Sequence, residues 1–276
     1  RAVRSLKRRS EERRVGTERR SRWPPDHEKK NGVNRPQKRN AFNLAVIDRF
    51  AAAYEEFADD PDLRTAVVFG HGDHFSAGLD LAEVGPVVAE KGPGALGGNR
   101  RFDPFGLWAP QVPKPVVMAV QGIAFTLSIE LALASDIVVA ASDVRFRQLE
   151  IGRGIMPFGG ATIRAPQRLG WGNDMRFLLT GQEFGAEEAH HIGLVQDIVS
   201  PGEQLIRARE LAEVIAAQAP LGVQGTLTYA RVAEQHGIAA AKEHLIDQLG
   251  LVLRSEDAQE GVMSFIERRT ANFTGR

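Results

Sequence analysis

The part of the sequence that most constrains the fold lies between residues 113 and 168. A run that is apolar at every position, 115–120, ends at a Gln-Gly turn, and a second such run covers 137–141. Short runs without polar alternation indicate strands buried on both faces, as in a parallel sheet covered by helices. This stretch therefore predicts an α/β protein.

Two glutamates stand in this apolar stretch, each shortly after a strand-like segment: Glu130 and Glu150. Ligand sites of open α/β sheets form at the carboxyl ends of the strands, so both carboxylates are candidates for catalysis. The alternative for each is an ordinary glutamate at a helix end or on the surface, with no chemical role.

The rest of the chain alternates between helix and strand patterns. Apolar residues recur at helical spacing over 40–57, and a buried strand is predicted at 64–70. Parallel strands need such crossover helices between them. Beyond Gly160 the sequence becomes mostly helical, with one strand-like piece at 193–199. Amphipathic patterns there cover residues 201–218, 221–236 and 238–253, and a last helix lies near Glu260.

Residues 85–106 are predicted to form a flexible insertion. Within them, residues 92–97 match the GxGxxG pattern of dinucleotide-binding loops. That pattern binds a pyrophosphate only between a strand and an apolar helix; neither flanks it here, and Pro93 stiffens the turn. We therefore predict no dinucleotide site.

Composition excludes several classes of function. The chain of 276 residues has a formal net charge of zero, which gives no reason to expect a polyanionic partner. It has no cysteine, which excludes thiol catalysis and disulfides and fits a cytoplasmic protein. No apolar run approaches the roughly 20 residues of a membrane-spanning helix. His190 and His191 point about 100° apart on a helix and cannot share an ion, so no metal site is predicted.

The first 30 residues differ in kind from the rest. They hold twelve Arg or Lys against five Asp or Glu and show almost no apolar periodicity. We interpret residues 1–30 as a basic tail that is disordered or not native to the protein. The alternative is an arm that binds nucleic acid.

Four separated motifs carry a family resemblance. They are residues 34–43 (NRPQKRNAFN), 74–81 (HFSAGLDL), the whole of 113–168, and 260–269 (EGVMSFIERR). In this order and spacing they resemble the crotonase family, also called the enoyl-CoA hydratase/isomerase family, over residues 32–276.

The resemblance implies an architecture as well as a family. A crotonase-like (ClpP/crotonase) ββα spiral core is expected over residues 31–200, where the active site would lie. A C-terminal helical region is expected over residues 201–276, and in this family such helices assemble trimers.

The resemblance also implies a reaction and its catalytic groups. Crotonases stabilise the enolate-like oxygen of a thioester with two backbone N–H groups, which by position are those of Leu79 and Leu127. Glu130 would be the base that activates water, and Glu150 the acid that protonates the α carbon. The expected activity is that of an enoyl-CoA hydratase, the reversible syn addition of water to a 2-trans-enoyl-CoA, giving a 3-hydroxyacyl-CoA.

The CoA contacts are implied in the same way. Lys38, Arg39 and Ala41 stand where the family contacts the nucleotide end of CoA, and Ala77 would offer backbone groups to adenine. Because CoA is part of the substrate, no separate cofactor is expected.

Two further positions point to assembly. Phe265 and Arg268 match tail positions that reach the CoA of a neighbouring subunit in crotonases. The expected partners are therefore an acyl-CoA and further copies of the chain, as a trimer or a dimer of trimers, without a membrane.

Other interpretations stay open. A Δ3,Δ2-enoyl-CoA isomerase, or another acyl-CoA lyase or hydrolase of the family, would use the same site. A nucleic-acid-binding protein would act through residues 1–30. A catalytically inactive scaffold is the last alternative, because Thr126-Leu127-Ser128 stands where the family often has three glycines.

Overall fold

The computed structural model describes residues 32–98 and 100–276, so the predicted basic tail, residues 1–30, lies outside the described residues. The main sheet consists of the parallel strands β1 (Gly32–Val33), β2 (Ala66–Gly70), β3 (Val116–Val120), β5 (Ile137–Ala141) and β8 (Asp197–Val199), in that spatial order. The α/β architecture predicted from the apolar runs is confirmed.

A second, smaller sheet carries the segments that matter for function. It contains β4 (Ile123–Phe125), β6 (Arg145–Arg147) and β7 (Phe184–Gly185). Strands β4 and β6 are parallel, while β6 and β7 are antiparallel. An isolated parallel bridge between Ser76 and Ala124 places the loop after β2 along the free edge of β4.

Helices connect and cover these strands. They are α1 (Leu44–Asp59), α2 (Leu81–Lys91), α3 (Leu127–Ala134), α4 (Ala161–Leu169), α5 (Trp171–Thr180), α6 (Ala186–His191), α7 (Gln204–Ala216), α8 (Pro220–Leu253) and α9 (Glu256–Glu267). Gly237 has non-helical angles inside α8, so the two helices predicted on either side of this residue meet there across a kink.

Strand β3 is apolar throughout because both of its faces are covered. Val116, Met118 and Val120 belong to the large core cluster on one side of the sheet. Val117 and Ala119 pack on the other side, in a cluster that includes Ala208 and Ala212 of α7. A strand that alternated polar and apolar residues would bury polar groups on one of these faces.

The backbone polar groups at both ends of helix α1 have hydrogen-bond partners from side chains. The Asn43 side chain accepts from the Val46 amide at the start of the helix (3.1 Å). At the other end, the buried Lys114 ammonium donates to the carbonyls of Phe57 (2.9 Å) and Asp60 (2.6 Å). The carbonyls of a last helical turn have no partner within the helix, so this ammonium satisfies groups that would otherwise need water.

The prediction of a flexible insertion over residues 85–106 is wrong for its first part, because α2 continues to Lys91. Val84 is buried and Val88 packs against the same core, one helical turn later. This apolar pair fixes the helix although Pro86 lies inside it.

The first half of α8 is attached to the core by ion pairs. Arg231 pairs with Asp136, next to the start of β5 (2.9 Å), and Arg168 of α4 holds Glu234 through two contacts (2.8 and 3.1 Å). Across the described part of the chain, no helix has the length and apolar character needed to cross a membrane.

Candidate active site

The register of the smaller sheet brings the two candidate glutamates together. Phe125 at the end of β4 pairs with Arg147 at the end of β6, and the Thr126 amide donates to the Arg147 carbonyl (2.8 Å). Both strands end at this point, so the segments that carry Glu130 and Glu150 leave the sheet side by side. Both side chains line one cavity of about 220 Å³.

Glu130 is a buried carboxylate held at a helix N-terminus. Its side chain is 4% exposed, and Oε1 accepts from the amides of Gly159 (2.6 Å) and Ala161 (3.4 Å) at the start of α4. The pKa of Glu130 is raised to about 7, first by burial and then by the Glu150 charge, while the two amides and Arg164 oppose the rise. A carboxylate with such a pKa can accept a proton near neutral pH.

Glu150 lies in a different environment. It is 8% exposed, directly before the short helix Ile151–Arg153. Its Oε2 is buried and has no hydrogen-bond partner among the described residues. Burial raises the pKa of Glu150 above its ordinary value, so this carboxyl holds its proton to a higher pH than an exposed glutamate does. The cavity therefore combines one anchored carboxylate with one that retains an unused oxygen.

Gly159 allows Glu130 to approach the turn before α4. A Cβ atom at this position would overlap the Glu130 carboxylate, so the restriction is one of space. The sequence analysis gave Gly159 no role. A Gly-Gly pair directly before a helix start was the available signal, since such amides bind carboxylates.

Two backbone amides follow unusual backbone conformations at the cavity. Leu79 follows Gly78, which has φ 98°, and Leu127 follows Thr126, which has φ 49°. The two turns are in contact, because a Cβ on Gly78 would overlap the Thr126 hydroxyl. Within the described part of the chain neither leucine amide donates a hydrogen bond. Both leucines line the cavity, so the two N–H groups are available to a ligand there.

The cavity gathers five of the predicted site residues and adds a mostly apolar wall. The predicted residues that line it are Ala77, Leu79, Leu127, Glu130 and Glu150. The apolar wall consists of Ile47, Leu81, Leu96, Phe105, Trp108, Leu149, Ile155 and Phe158. Three further charged side chains reach it, those of Arg100, Asp103 and Arg153.

Asp103 organises part of this wall and was missed by the sequence analysis. It is buried, and its two oxygens accept from the amides of Phe105 (3.0 Å), Leu107 (2.9 Å) and Trp108 (3.0 Å). These bonds fix the loop that places two aromatic side chains on the cavity. No periodicity marks such a loop, which is why the sequence indicated only an insertion.

The residues predicted to contact the nucleotide end of CoA lie beside the cavity. The Ala77 amide donates to the Arg39 carbonyl (2.9 Å), so the segment with Lys38 and Arg39 runs along the Ala77 rim. Ala41 is buried, and its carbonyl accepts from Arg35 (2.8 Å). Lys38, Arg39 and Ala41 do not line the cavity themselves.

Phe265 and Arg268 are not brought to the cavity of their own chain. Phe265 lies on α9 and is 82% exposed, and Arg268 follows the end of that helix. Their assignment to the site of a neighbouring subunit stays a prediction.

The described residues contain no group of three or more His, Cys, Asp or Glu side chains that could hold a metal ion. The polar groups that the cavity offers include two carboxyls and two backbone amides without a partner among the described residues.

Known proteins with similar sequences and structures agree on one family. The sequence model described as Enoyl-CoA hydratase/isomerase matches residues 32–276. The carnitinyl-CoA dehydratase of Escherichia coli (strain K12) is 35% identical over 252 residues, which cover 88% of this chain and 94% of that protein.

Two solved structures show the same likeness. A probable enoyl-CoA hydratase/isomerase from Mycobacterium abscessus is 49% identical, with a TM-score of 0.85 over 89% of this chain and 94% of that one. An enoyl-CoA hydratase from Mycobacterium tuberculosis H37Rv is 35% identical, with a TM-score of 0.79 over the same shares.

Proposed function

Because the chain belongs to the enoyl-CoA hydratase/isomerase family, as its four motifs predicted, we propose that it adds water reversibly to a 2-trans-enoyl-CoA. The product would be a 3-hydroxyacyl-CoA. The observation that carries this proposal is the pair of buried carboxyls in one cavity, one anchored by amides and one with an unused oxygen. An isomerase, the main alternative, needs only one such group to move a proton.

In this proposal the two free amides bind the thioester carbonyl oxygen. Leu79 N–H and Leu127 N–H would donate to it, and negative charge would develop there as water adds to the β carbon. Leu127 is the first residue of α3, so the helix dipole favours that charge. Loss of one such donor costs about 10²–10³-fold in rate in other enzymes.

The carboxyls divide the proton transfers. Ionised Glu130 takes a proton from water while the water oxygen bonds to the β carbon. Protonated Glu150 gives its proton to the α carbon, and the electron pair of the double bond moves to the thioester oxygen and back. Both carboxyls line the same cavity, which supports addition of both groups to one face of the double bond.

The charges around the cavity favour binding of a neutral acyl group. Carnitinyl-CoA, for which the Escherichia coli relative is named, carries a quaternary ammonium on its acyl group. Here Arg100 and Arg153 line the cavity, and three amides already engage Asp103. Apart from Glu130, which is ionised when it acts as the base, a cationic acyl group would meet little uncompensated negative charge.

Binding of CoA and assembly complete the proposal. Lys38, Arg39 and Ala41 would contact the nucleotide end, and Ala77 the adenine. Phe265 and Arg268 would contact the CoA of a neighbouring subunit in a trimer or a dimer of trimers. No cofactor besides the CoA of the substrate takes part.

The experiment is an absorbance assay. The purified protein is incubated with 2-trans-enoyl-CoAs of increasing chain length, and loss of the conjugated enoyl-thioester absorbance is followed. Hydration is expected with alkyl chains. It is not expected with crotonobetainyl-CoA, the cationic enoyl-CoA that forms when carnitinyl-CoA loses water. A gain of absorbance from 3-enoyl-CoAs, without hydration of 2-enoyl-CoAs, would establish the isomerase instead.

A further inference from the structure

A third charged group lies behind the glutamate pair and has no part in the mechanism above. Arg164 of α4 donates from Nη2 to the Gly106 carbonyl (3.1 Å). Its Nη1 is buried and has no hydrogen-bond partner in residues 32–98 and 100–276. A Cβ on Gly160 would lie 2.6 Å from this nitrogen, so the guanidinium packs against the Gly159–Gly160 turn.

The same turn holds Glu130. Gly159 donates its amide to the Glu130 carboxylate and has no room for a side chain on that side. Arg164 and Glu130 therefore contact neighbouring residues of one turn, and the positive charge of Arg164 lowers the pKa of Glu130 against the effect of burial. Burial also lowers the pKa of Arg164. The ordinary pKa of an arginine is so far above neutral pH that the side chain nevertheless stays charged.

The other contact of Arg164 leads to the wall of the cavity. Gly106 lies in the loop that Asp103 fixes and that places Phe105 and Trp108 on the cavity. One side chain thus joins this loop to the turn that holds Glu130.

The two acids whose charge acts on Arg164 have other partners. The groups whose charge acts on Arg164 are Arg168, Glu234, Asp103 and Arg231. Of the two acids, Glu234 is held by Arg168, and Asp103 is engaged by three amides. The charged groups that act on Glu130 are Glu150 and Arg164.

We propose that Arg164 is a positioning residue of the hydration reaction: it keeps Glu130 anionic and in place, and ties it to the wall of the acyl cavity. It does not line the cavity but lies behind the turn that holds Glu130. This inference rests on the proposed function.

The test is the pH dependence of the Arg164→Gln variant. Glu130 must be ionised to act as a base, so wild-type kcat/KM falls as the pH drops below about 7. Removing a neighbouring positive charge raises the pKa of a carboxyl, so this acidic limb moves to higher pH. Relative to wild type, activity is expected to fall several-fold more at pH 6 than at pH 9. An equal loss at both pH values would overturn the proposal.

Two further variants separate charge from structure. Arg164→Lys keeps the charge and loses the guanidinium that donates to the Gly106 carbonyl, so it should retain the wild-type acidic limb. A shifted limb would contradict the proposal even if Arg164→Gln does not fold. Arg168→Gln removes a positive charge one helical turn away, and any loss it causes should be the same at all pH values.

A measurement without substrate keeps this inference apart from the proposed function. In protein labelled with ¹³C at the glutamate carboxyls, the Glu130 signal is identified by its loss in Glu130→Gln and titrated in wild type and Arg164→Gln. The titration should move to higher pH in the variant, and an unmoved titration would refute the role of Arg164. Inactivity of the wild type on every enoyl-CoA would refute the hydratase alone.

Discussion

At the scale of single residues, the two glutamates are expected to act as a unit. Glu130→Gln and Glu150→Gln should each lower kcat by several orders of magnitude, because each removes one of two proton transfers that occur together. The double variant should be little worse than either single one, because loss of either carboxyl already prevents the coupled proton transfers. Steady-state hydration of an enoyl-CoA is the measurement. Near-wild-type activity in one variant would remove that residue from the mechanism.

Gly159 provides a second test at this scale. In Gly159→Ala the new methyl group would overlap the Glu130 carboxylate, which must then move. A displacement of about 1 Å can cost about 10²-fold in rate, so kcat should fall to that extent while the fold is kept. Gly152→Ala is the matched control, because a Cβ there meets nothing within 4 Å. Equal activity in the two variants would show that the position of Glu130 is not critical.

The sequence identified the acids but not the groups that tune them. Glu130 and Glu150 stand out as carboxylates shortly after strand-like segments, and Asp103 acts within a local loop that has no periodicity. Gly159 and Arg164 act through contacts with residues distant in the chain. Such contacts depend on how loops fold back onto the sheet, and no local pattern encodes that.

At the scale of elements, Lys114 is expected to stabilise α1. Its ammonium donates to two carbonyls at the end of that helix, and Lys114→Met would leave them without this partner. A buried group left unsatisfied costs about 1–3 kcal/mol, so the free energy of unfolding should fall by about that amount. Urea denaturation measures it, with Lys91→Met at the exposed end of α2 as the control. A loss no larger than that of the control would mean that water replaces the ammonium.

Elements with a strong apolar pattern were predicted well. The strand at 64–70 appears as β2, and the helix pattern at 40–57 appears as α1, shifted by a few residues because Asn43 caps it. The part of helix α2 beyond residue 85 was predicted as loop because Pro86 and the following glycines suggest one, while the core contacts of Val84 and Val88 outweigh them. Local propensity is a weak guide where burial decides.

At the scale of the whole molecule, the exposed end of α9 bears on assembly. If Phe265 and Arg268 contact the CoA of a neighbouring subunit, Arg268→Ala should raise KM several-fold and leave kcat nearly unchanged. The reason is that this contact is the same in the ground state and the transition state. Arg254→Ala, at the end of α8, is the control. Steady-state kinetics and light scattering test this together, and a fully active, tightly binding monomer would contradict it.

The backbone of Thr126 has a consequence for how this protein would respond to artificial evolution. Its φ of 49° and ψ of −111° place a side-chain-bearing residue in a conformation that costs of order 1–3 kcal/mol. Glycine, which the family often has at this position, would relieve that cost and make the turn more flexible. A library screened for survival at high temperature is therefore expected to enrich glycine here. The turnover of those variants would measure what the threonine contributes to presenting the Leu127 amide.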